Sequence, residues 1–320
     1  MTRIAVLDDW QNVARASADW TAVLARAEVE FFREPFADED AAAAALEPFD
    51  IVLAIRERTP FPAALVQRLP KLRMLGMTGA RAALIDTAAL QRRGVTVCTT
   101  GGGPSSASTA EIALGLMLAA ARGIPAGDAS VRSGRFQLGT RAGPVLAGKT
   151  LGVIGLGRIG SRMARYGQAL EMRVLAWSRN LTAEAARAAG AEHASKDALL
   201  SESDVVTLHL VLSERTRGIL GAAEIACMKP GAILVNTARA GLVDETALID
   251  AVQSGRIVAA LDVFHREPLP ANHPLARAAN VVLTPHLGYG ATEVYAEYYR
   301  ETVENALAFL DGKPIRVYGA

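Results

Sequence analysis

The 320-residue sequence predicts an α/β chain with two doubly wound parallel-sheet domains. Short apolar strands alternate with helical stretches up to about residue 100, and a second alternation begins at Thr150. Between them the stretch TTGGGPSSAST gathers Gly, Pro and Ser and interrupts the pattern. The length lets each domain bury its own core.

In the first alternation RIAVLDD, DIVLAIR, LRMLGMT and VTVCTT read as strands, and WTAVLARA, PAALVQRL and DTAALQRR as helices between them. DEDAAAAALEP is also helical: alanine has the best helix propensity, and acids suit a helix N-terminus. A long helix is predicted from about Ser108 to Arg122. Its apolar run Ile112 to Ala121 is about half of a membrane span, so it reads as a buried helix.

In the second alternation TLGVIG, RVLAWS, VVTLHL, AILVNT, IVAALDVF and VVLTP are the strands. Helices are expected at Arg158 to Leu170, Ala183 to Ala189, Ala222 to Met228 and Glu245 to Gln253. Ala291 to Leu310 reads as one further helix, with Val294, Tyr298, Leu307 and Leu310 among its apolar positions. It lies beyond the last strand, so the chain is expected to return there to the first domain. The expected domains are residues 1–100 with 287–320, and residues 101–286.

With 34 basic and 33 acidic residues and no block of like charge, the composition favours a small ligand over nucleic acid or a membrane surface. The start MTRIAVLDDWQ places acids before any apolar segment of secretory length, which predicts a cytoplasmic protein. Cys98 and Cys227 form no C-x-x-C, the five histidines show no metal-ligand spacing, and no G-x-S-x-G occurs. No metal is expected.

Two phosphate-loop signatures overlap between Gly143 and Gly160: GPVLAGKT has the spacing of a triphosphatase loop, and GLGRIG that of a dinucleotide site. A triphosphatase loop opens a helix, but a helix starting at Lys149 would carry Gly152, Gly155, Gly157 and Gly160. Four interior glycines cost about 4 kcal/mol relative to alanine. The dinucleotide reading has the right context, a strand TLGVI, a glycine turn, and then Ile159, Met163, Tyr166 and Leu170 at helical spacing. Gly155 would allow the tight turn, Gly157 the approach of a pyrophosphate, and Gly160 close packing of helix on strand.

The position about 20 residues further on, where an NAD site presents an acid to the ribose, holds Ser178 and Arg179. A hydroxyl and a guanidinium suit a 2′-phosphate, so NADP is favoured over NAD. Arg179 as an ordinary solvated residue is the alternative.

The working crevice of such a sheet lies outside the carboxyl ends of its strands. Arg239 follows AILVNTA, Glu267 follows IVAALDVF and His286 follows VVLTP. Together they suit hydride transfer to a carbonyl: His286 as proton donor or acceptor, Glu267 to fix and charge the imidazole, and Arg239 to hold a carboxylate and polarise the carbonyl. Each has a structural alternative, and His209 in VVTLHL competes with His286 from an equivalent position.

GKTLGVIGLGRIG, NTARAGLVDETAL, ALDVFHREPLP and VVLTPHLGYG, in this order, resemble the D-isomer-specific 2-hydroxyacid dehydrogenases over nearly the whole chain. The resemblance implies a Rossmann NAD(P)-binding domain inserted in a flavodoxin-like substrate domain, and a homodimer joined through the nucleotide domain. It also implies that Arg239 binds substrate, that Glu267 supports His286 as acid/base, that Asp262 contacts the nicotinamide amide, and that Thr109 and Thr237 line the cofactor. The expected cofactor set is then Gly155, Gly157, Arg158, Ile159, Gly160, Ser178, Arg179, Thr109, His209, Thr237 and Asp262. Thr78, Gly79 and Arg58 are the expected substrate binders.

The chain departs from the family pattern at Ala240, at the Leu-Gly-Tyr-Gly after His286, and in the longer loop between Gly79 and Asp86. These positions bear on substrate identity. Arg56, Arg58 and Arg81 together suit a second anionic group, with ordinary surface arginines as the alternative. A dinucleotide-sensing regulator on the same scaffold, similar to the corepressors that resemble these enzymes, is the alternative function.

Overall fold

A computed structural model describes residues 1–79 and 84–319, which gather into two compact units. Unit 1 comprises residues 1–104 and 291–320, and unit 2 residues 105–290. Arg81 falls outside the described residues.

Unit 1 starts with β1 (Thr2–Val6), α1 (Thr21–Leu24), β2 (Ala27–Phe31), α2 (Glu39–Leu46), β3 (Ile51–Ala54), α3 (Ala63–Gln67), β4 (Met74–Met77), α4 (Thr87–Arg92) and β5 (Thr96–Thr99). The strands form one parallel sheet in the order β2-β1-β3-β4-β5. Central strands IVLA and MLGM are buried throughout, as a sheet covered on both faces requires. Leu7, Leu46, Val52, Phe61, Leu65 and Leu75 belong to the core that covers them.

Unit 2 opens with α5 (Ser105–Arg122) and α6 (Ile124–Arg132) and continues through β6 (Thr150–Ile154), α7 (Gly160–Ala169), β7 (Arg173–Trp177), α8 (Ala183–Ala188), β8 (Glu192–His193) and α9 (Lys196–Glu202). Then come β9 (Val205–Leu208), α10 (Ala222–Cys227), β10 (Ala232–Asn236), α11 (Glu245–Gln253), β11 (Ile257–Leu261), α12 (Pro274–Arg277) and β12 (Val281–Leu283). Seven parallel strands run in the order β12-β11-β10-β9-β6-β7-β8, so the winding reverses between β6 and β9. A sheet of this order presents its ligand crevice at that reversal. The chain then returns to unit 1 as α13 (Thr292–Leu310), which buries Val294 and Tyr298 while Leu307 and Leu310 stay half-buried.

Local chemistry sets several boundaries. Asp244 accepts the Ala247 N–H at 2.8 Å and Glu245 sits in the first turn, so α11 starts where the sequence places it. WTAVLARA, expected as one helix, yields only Thr21–Leu24, because Ala27 already enters β2. That edge strand, AEVEF, puts Glu28 and Glu30 on the solvent side within 3.3 and 3.6 Å of Arg3, and acids hid it from a reading based on apolar runs. VVTLHL and IVAALDVF end as strands at Leu208 and Leu261, leaving His209 and Asp262 just beyond them. GPVLAGKT forms no helix start, since Lys149 leads directly into β6. No single helix among the described residues is long and apolar enough to cross a membrane.

Candidate active site

The glycine turn lies at the reversal of the unit 2 sheet. Gly155 has φ +100, and a Cβ there would stand 2.7 Å from the His209 carbonyl carbon. Gly160 opens α7, and a Cβ on it would come within 2.0 Å of the Gly155 carbonyl oxygen, so helix and strand pack at a distance only glycine permits. At Gly157 the corresponding space is open to 4 Å. The turn leads directly into the N-terminus of α7 at Gly160, a setting that attracts phosphate.

Arg158 is exposed beside the turn, while Ile159 is half-buried against the unit 2 core. Ser178 and Arg179 follow β7, the serine half-buried and the arginine exposed. The Arg179 guanidinium has no hydrogen-bond or ion-pair partner among the described residues.

Register pairs Leu208 with Asn236, which brings His209 and Thr237 side by side past the ends of β9 and β10. His209 Nε2 shares a 2.9 Å hydrogen bond with Thr207 Oγ1, and burial pushes the imidazole down to about 3. It is therefore neutral near pH 7, which disfavours it as a proton carrier. Its Nδ1 and the Thr237 Oγ1 are buried without a hydrogen-bond partner among the described residues. Two unsatisfied polar atoms past the ends of β9 and β10 fit the requirements of a bound dinucleotide.

Arg239 sits on a short turn after β10, and Asn236 spans that turn. Asn236 Oδ1 accepts the Ala238 N–H at 3.0 Å, and its Nδ2 donates to the Arg239 carbonyl at 2.9 Å. Glu267 and His286, 19 residues apart, meet at 2.7 Å between Oε2 and Nδ1. The other carboxylate oxygen accepts the Phe264 N–H at 3.0 Å, so Glu267 is fixed at both ends. The carboxylate accepts a hydrogen bond from the Nδ1 N–H, which leaves Nε2 as the working nitrogen.

His286 has φ 54, in the left-handed region, and buried Asp262 ties down the turn around it. Its Oδ1 accepts from the Thr284 hydroxyl at 2.6 Å and the Leu287 N–H at 2.7 Å, and its Oδ2 from the Gly288 N–H at 2.8 Å. Both oxygens of the residue expected to contact the nicotinamide amide accept hydrogen bonds from this turn. Burial pushes the Asp262 carboxyl up, against the opposing pull of these donors and of His286. Thr109 Oγ1 donates to the Gly288 carbonyl at 2.8 Å from the first turns of α5, so it too serves this turn.

Unit 1 holds the three expected substrate binders at the carboxyl ends of its own strands. Thr78 Oγ1 accepts the Arg56 N–H at 3.2 Å, the Gly79 N–H donates to Thr100 Oγ1 at 2.9 Å, and the Arg58 guanidinium lies over the Trp10 ring at 5.5 Å.

Sequence reasoning missed Asn236 and Thr284 as supports of the site. A buried asparagine closing the otherwise apolar strand AILVN was the available signal for the first.

Residues 114–288 match the family described as D-isomer specific 2-hydroxyacid dehydrogenase, NAD binding domain. The glyoxylate reductase of Aeropyrum pernix is 42% identical over 257 residues, covering 78% of this chain and 76% of that protein. The D-3-phosphoglycerate dehydrogenase of Archaeoglobus fulgidus is 39% identical over 265 residues, 82% of this chain. The chain spans about half the length of the latter, with 50% covered. Among solved structures, the phosphoglycerate oxidoreductase of Vibrio cholerae O395 superposes with a TM-score of 0.92 at 37% identity, covering 98% of this chain and 100% of that one. The fold, the glycine turn and the strand-end site are those of a dinucleotide-binding α/β protein, and the chain belongs to the D-isomer specific 2-hydroxyacid dehydrogenase family.

Proposed function

We propose that the chain is an NAD(P)-dependent oxidoreductase that reversibly reduces a 2-keto acid to the D-2-hydroxy acid. The observation that carries the proposal is the His286–Glu267 pair at 2.7 Å, in the same unit as the glycine turn. When bound at Gly155, Gly157 and Gly160, the nicotinamide cofactor supplies the hydride that adds to the keto carbon. His286 donates its Nε2 proton to the keto oxygen, and Glu267 stabilises the imidazolium beforehand and orients the ring. Arg239 holds the substrate carboxylate and polarises the adjacent carbonyl. Thr237 Oγ1 and His209 Nδ1, both without a partner among the described residues, are the polar atoms offered to the dinucleotide.

The finer assignments rest on particular side chains. Arg179, exposed after β7 beside Ser178, supports recognition of a 2′-phosphate and hence NADP. Thr78, Gly79 and Arg58 of unit 1 are assigned to substrate binding, and Arg56 with Arg58 supports a keto acid carrying a second anionic group. Names such as D-3-phosphoglycerate dehydrogenase among the relatives agree with such a substrate, whereas glyoxylate reductase implies a smaller one. A homodimer is supported by the exposed apolar side chains Ile124, Val131, Phe136, Leu138 and Val145, all within one stretch of unit 2.

The test is a spectrophotometric screen of NADH and NADPH against 2-keto acids, among them glyoxylate and the keto acid corresponding to 3-phosphoglycerate. Oxidation of a reduced cofactor with at least one pair is expected. Cofactor binding without turnover of any pair would replace the enzyme reading by that of a dinucleotide-sensing regulator.

A further inference from the structure

Asn236 lies on β10 with only 2% of its surface exposed, a costly place for an amide unless every polar group is used. Its main chain is fixed in the sheet: register pairs it with Leu208 on one side and Leu261 on the other, and its carbonyl accepts the Asp262 N–H at 3.0 Å. Its side chain points along the chain's own next turn. Oδ1 takes the N–H of Ala238 at 3.0 Å and Nδ2 reaches the carbonyl of Arg239 at 2.9 Å, so one amide bridges two successive residues. Arg239 itself is extended, with φ −147 and ψ 139, and its carbonyl takes the Leu242 N–H at 3.2 Å, where the 3-10 turn Ala240–Leu242 begins, as well as the Asn236 amide.

We infer that Asn236 is a positioning residue for substrate recognition: it transfers the rigidity of the central strand β10 to the backbone of Arg239, and so sets where the guanidinium meets the substrate carboxylate. The inference rests on the reading of Arg239 as the carboxylate-binding residue. It assigns Asn236 no contact with substrate or cofactor. A long arginine side chain gains directional, two-point binding only when its backbone is held, and displacement of about 1 Å at such a group costs up to about 100-fold in rate.

The test is a double-mutant cycle on kcat/KM and KM for the best 2-keto acid, using Asn236→Ala, Arg239→Ala and the double variant. Asn236→Ala is expected to raise KM about 10-fold or more, with NADH affinity within twofold and the midpoint of the pH–rate profile unmoved. In the Arg239→Ala background the same change is expected to have no further effect. Asn236→Asp keeps the volume and the acceptor for Ala238 but removes the donor to Arg239. It is expected to raise KM likewise, and it carries the test if the alanine variant does not fold.

An equal loss from Asn236→Ala in both backgrounds, or a fall in NADH affinity matching the loss of activity, would overturn the inference in favour of a general structural role. So would an unchanged KM in both Asn236 variants while Arg239→Ala loses activity. If Arg239→Ala itself leaves KM unchanged, the reading of Arg239 fails and the inference falls with it, a pattern distinct from the others.

Discussion

Burial sets the charge of two strand-end side chains, Asp8 and His209, and the consequences have opposite signs. Asp8 is buried past β1, accepts the Thr59 hydroxyl at 2.8 Å, and is pushed up to about 6, against the pull of that bond and of Arg58. The folded chain therefore keeps its proton between pH 4 and 6, where the unfolded chain has lost it. Stability of unit 1 falls as pH rises through this window and is level above it, at a cost of roughly 3 kcal/mol near pH 7. Asp8→Asn is expected to raise the melting temperature at pH 7.5 and to leave it nearly unchanged at pH 3, as read by scanning calorimetry. For His209 the folded value is depressed to about 3, so its contribution to unit 2 is present above pH 6.5 and is lost as pH falls towards 3. His209→Gln is expected to leave the midpoint of the pH–rate profile in place. A midpoint displaced by one unit would mean that His209 takes part in proton transfer.

At the scale of elements, the turn between β6 and α7 separates packing from binding. A Cβ at Gly160 meets the Gly155 carbonyl at 2.0 Å, whereas one at Gly157 meets nothing within 4 Å. Gly160→Ala should therefore destabilise the ligand-free protein by roughly 1–3 kcal/mol as well as weaken NADH binding. Gly157→Ala should weaken NADH binding by at least about tenfold and leave the melting temperature unchanged, because its Cβ enters only the space proposed for pyrophosphate. Melting curves with a fluorescence titration of NADH read both.

The same elements show how far the sequence was legible. β6, β10, β11 and α11 announced themselves because central parallel strands are continuous apolar runs and α11 has a side-chain cap and an acidic first turn. β2 did not, because Glu28 and Glu30 face water at a sheet edge, and neither did α6, whose start is a left-handed Gly123 followed by Ile-Pro. Arg239, Glu267 and His286 could be picked out as ionisable residues beyond strand ends. The hold of Asn236 on the Arg239 turn, and of Asp262 on the His286 turn, depends on backbone geometry that no residue spacing encodes.

At the scale of the whole molecule, two proposals await solution measurements. The exposed Phe136 and Leu138, with Ile124, Val131 and Val145 in the same stretch, are expected to be covered by a second copy. The double change Phe136→Glu with Leu138→Glu should convert a dimer to a monomer in sedimentation equilibrium, and a monomeric wild type would remove the proposal. Arg179→Asp should move the NADPH-to-NADH preference towards NADH by at least about tenfold. An unchanged ratio would leave the 2′-phosphate assignment without support.

The central claim is that His286 moves the proton while the cofactor delivers hydride. It is tested most directly by the turnover rate of NAD(P)H oxidation, with the best 2-keto acid, in the wild type and in His286→Gln. The rate should fall by about 100- to 10,000-fold, with nucleotide affinity within twofold. A rate within tenfold of the wild type at unchanged affinity would contradict the assignment of His286 as the acid.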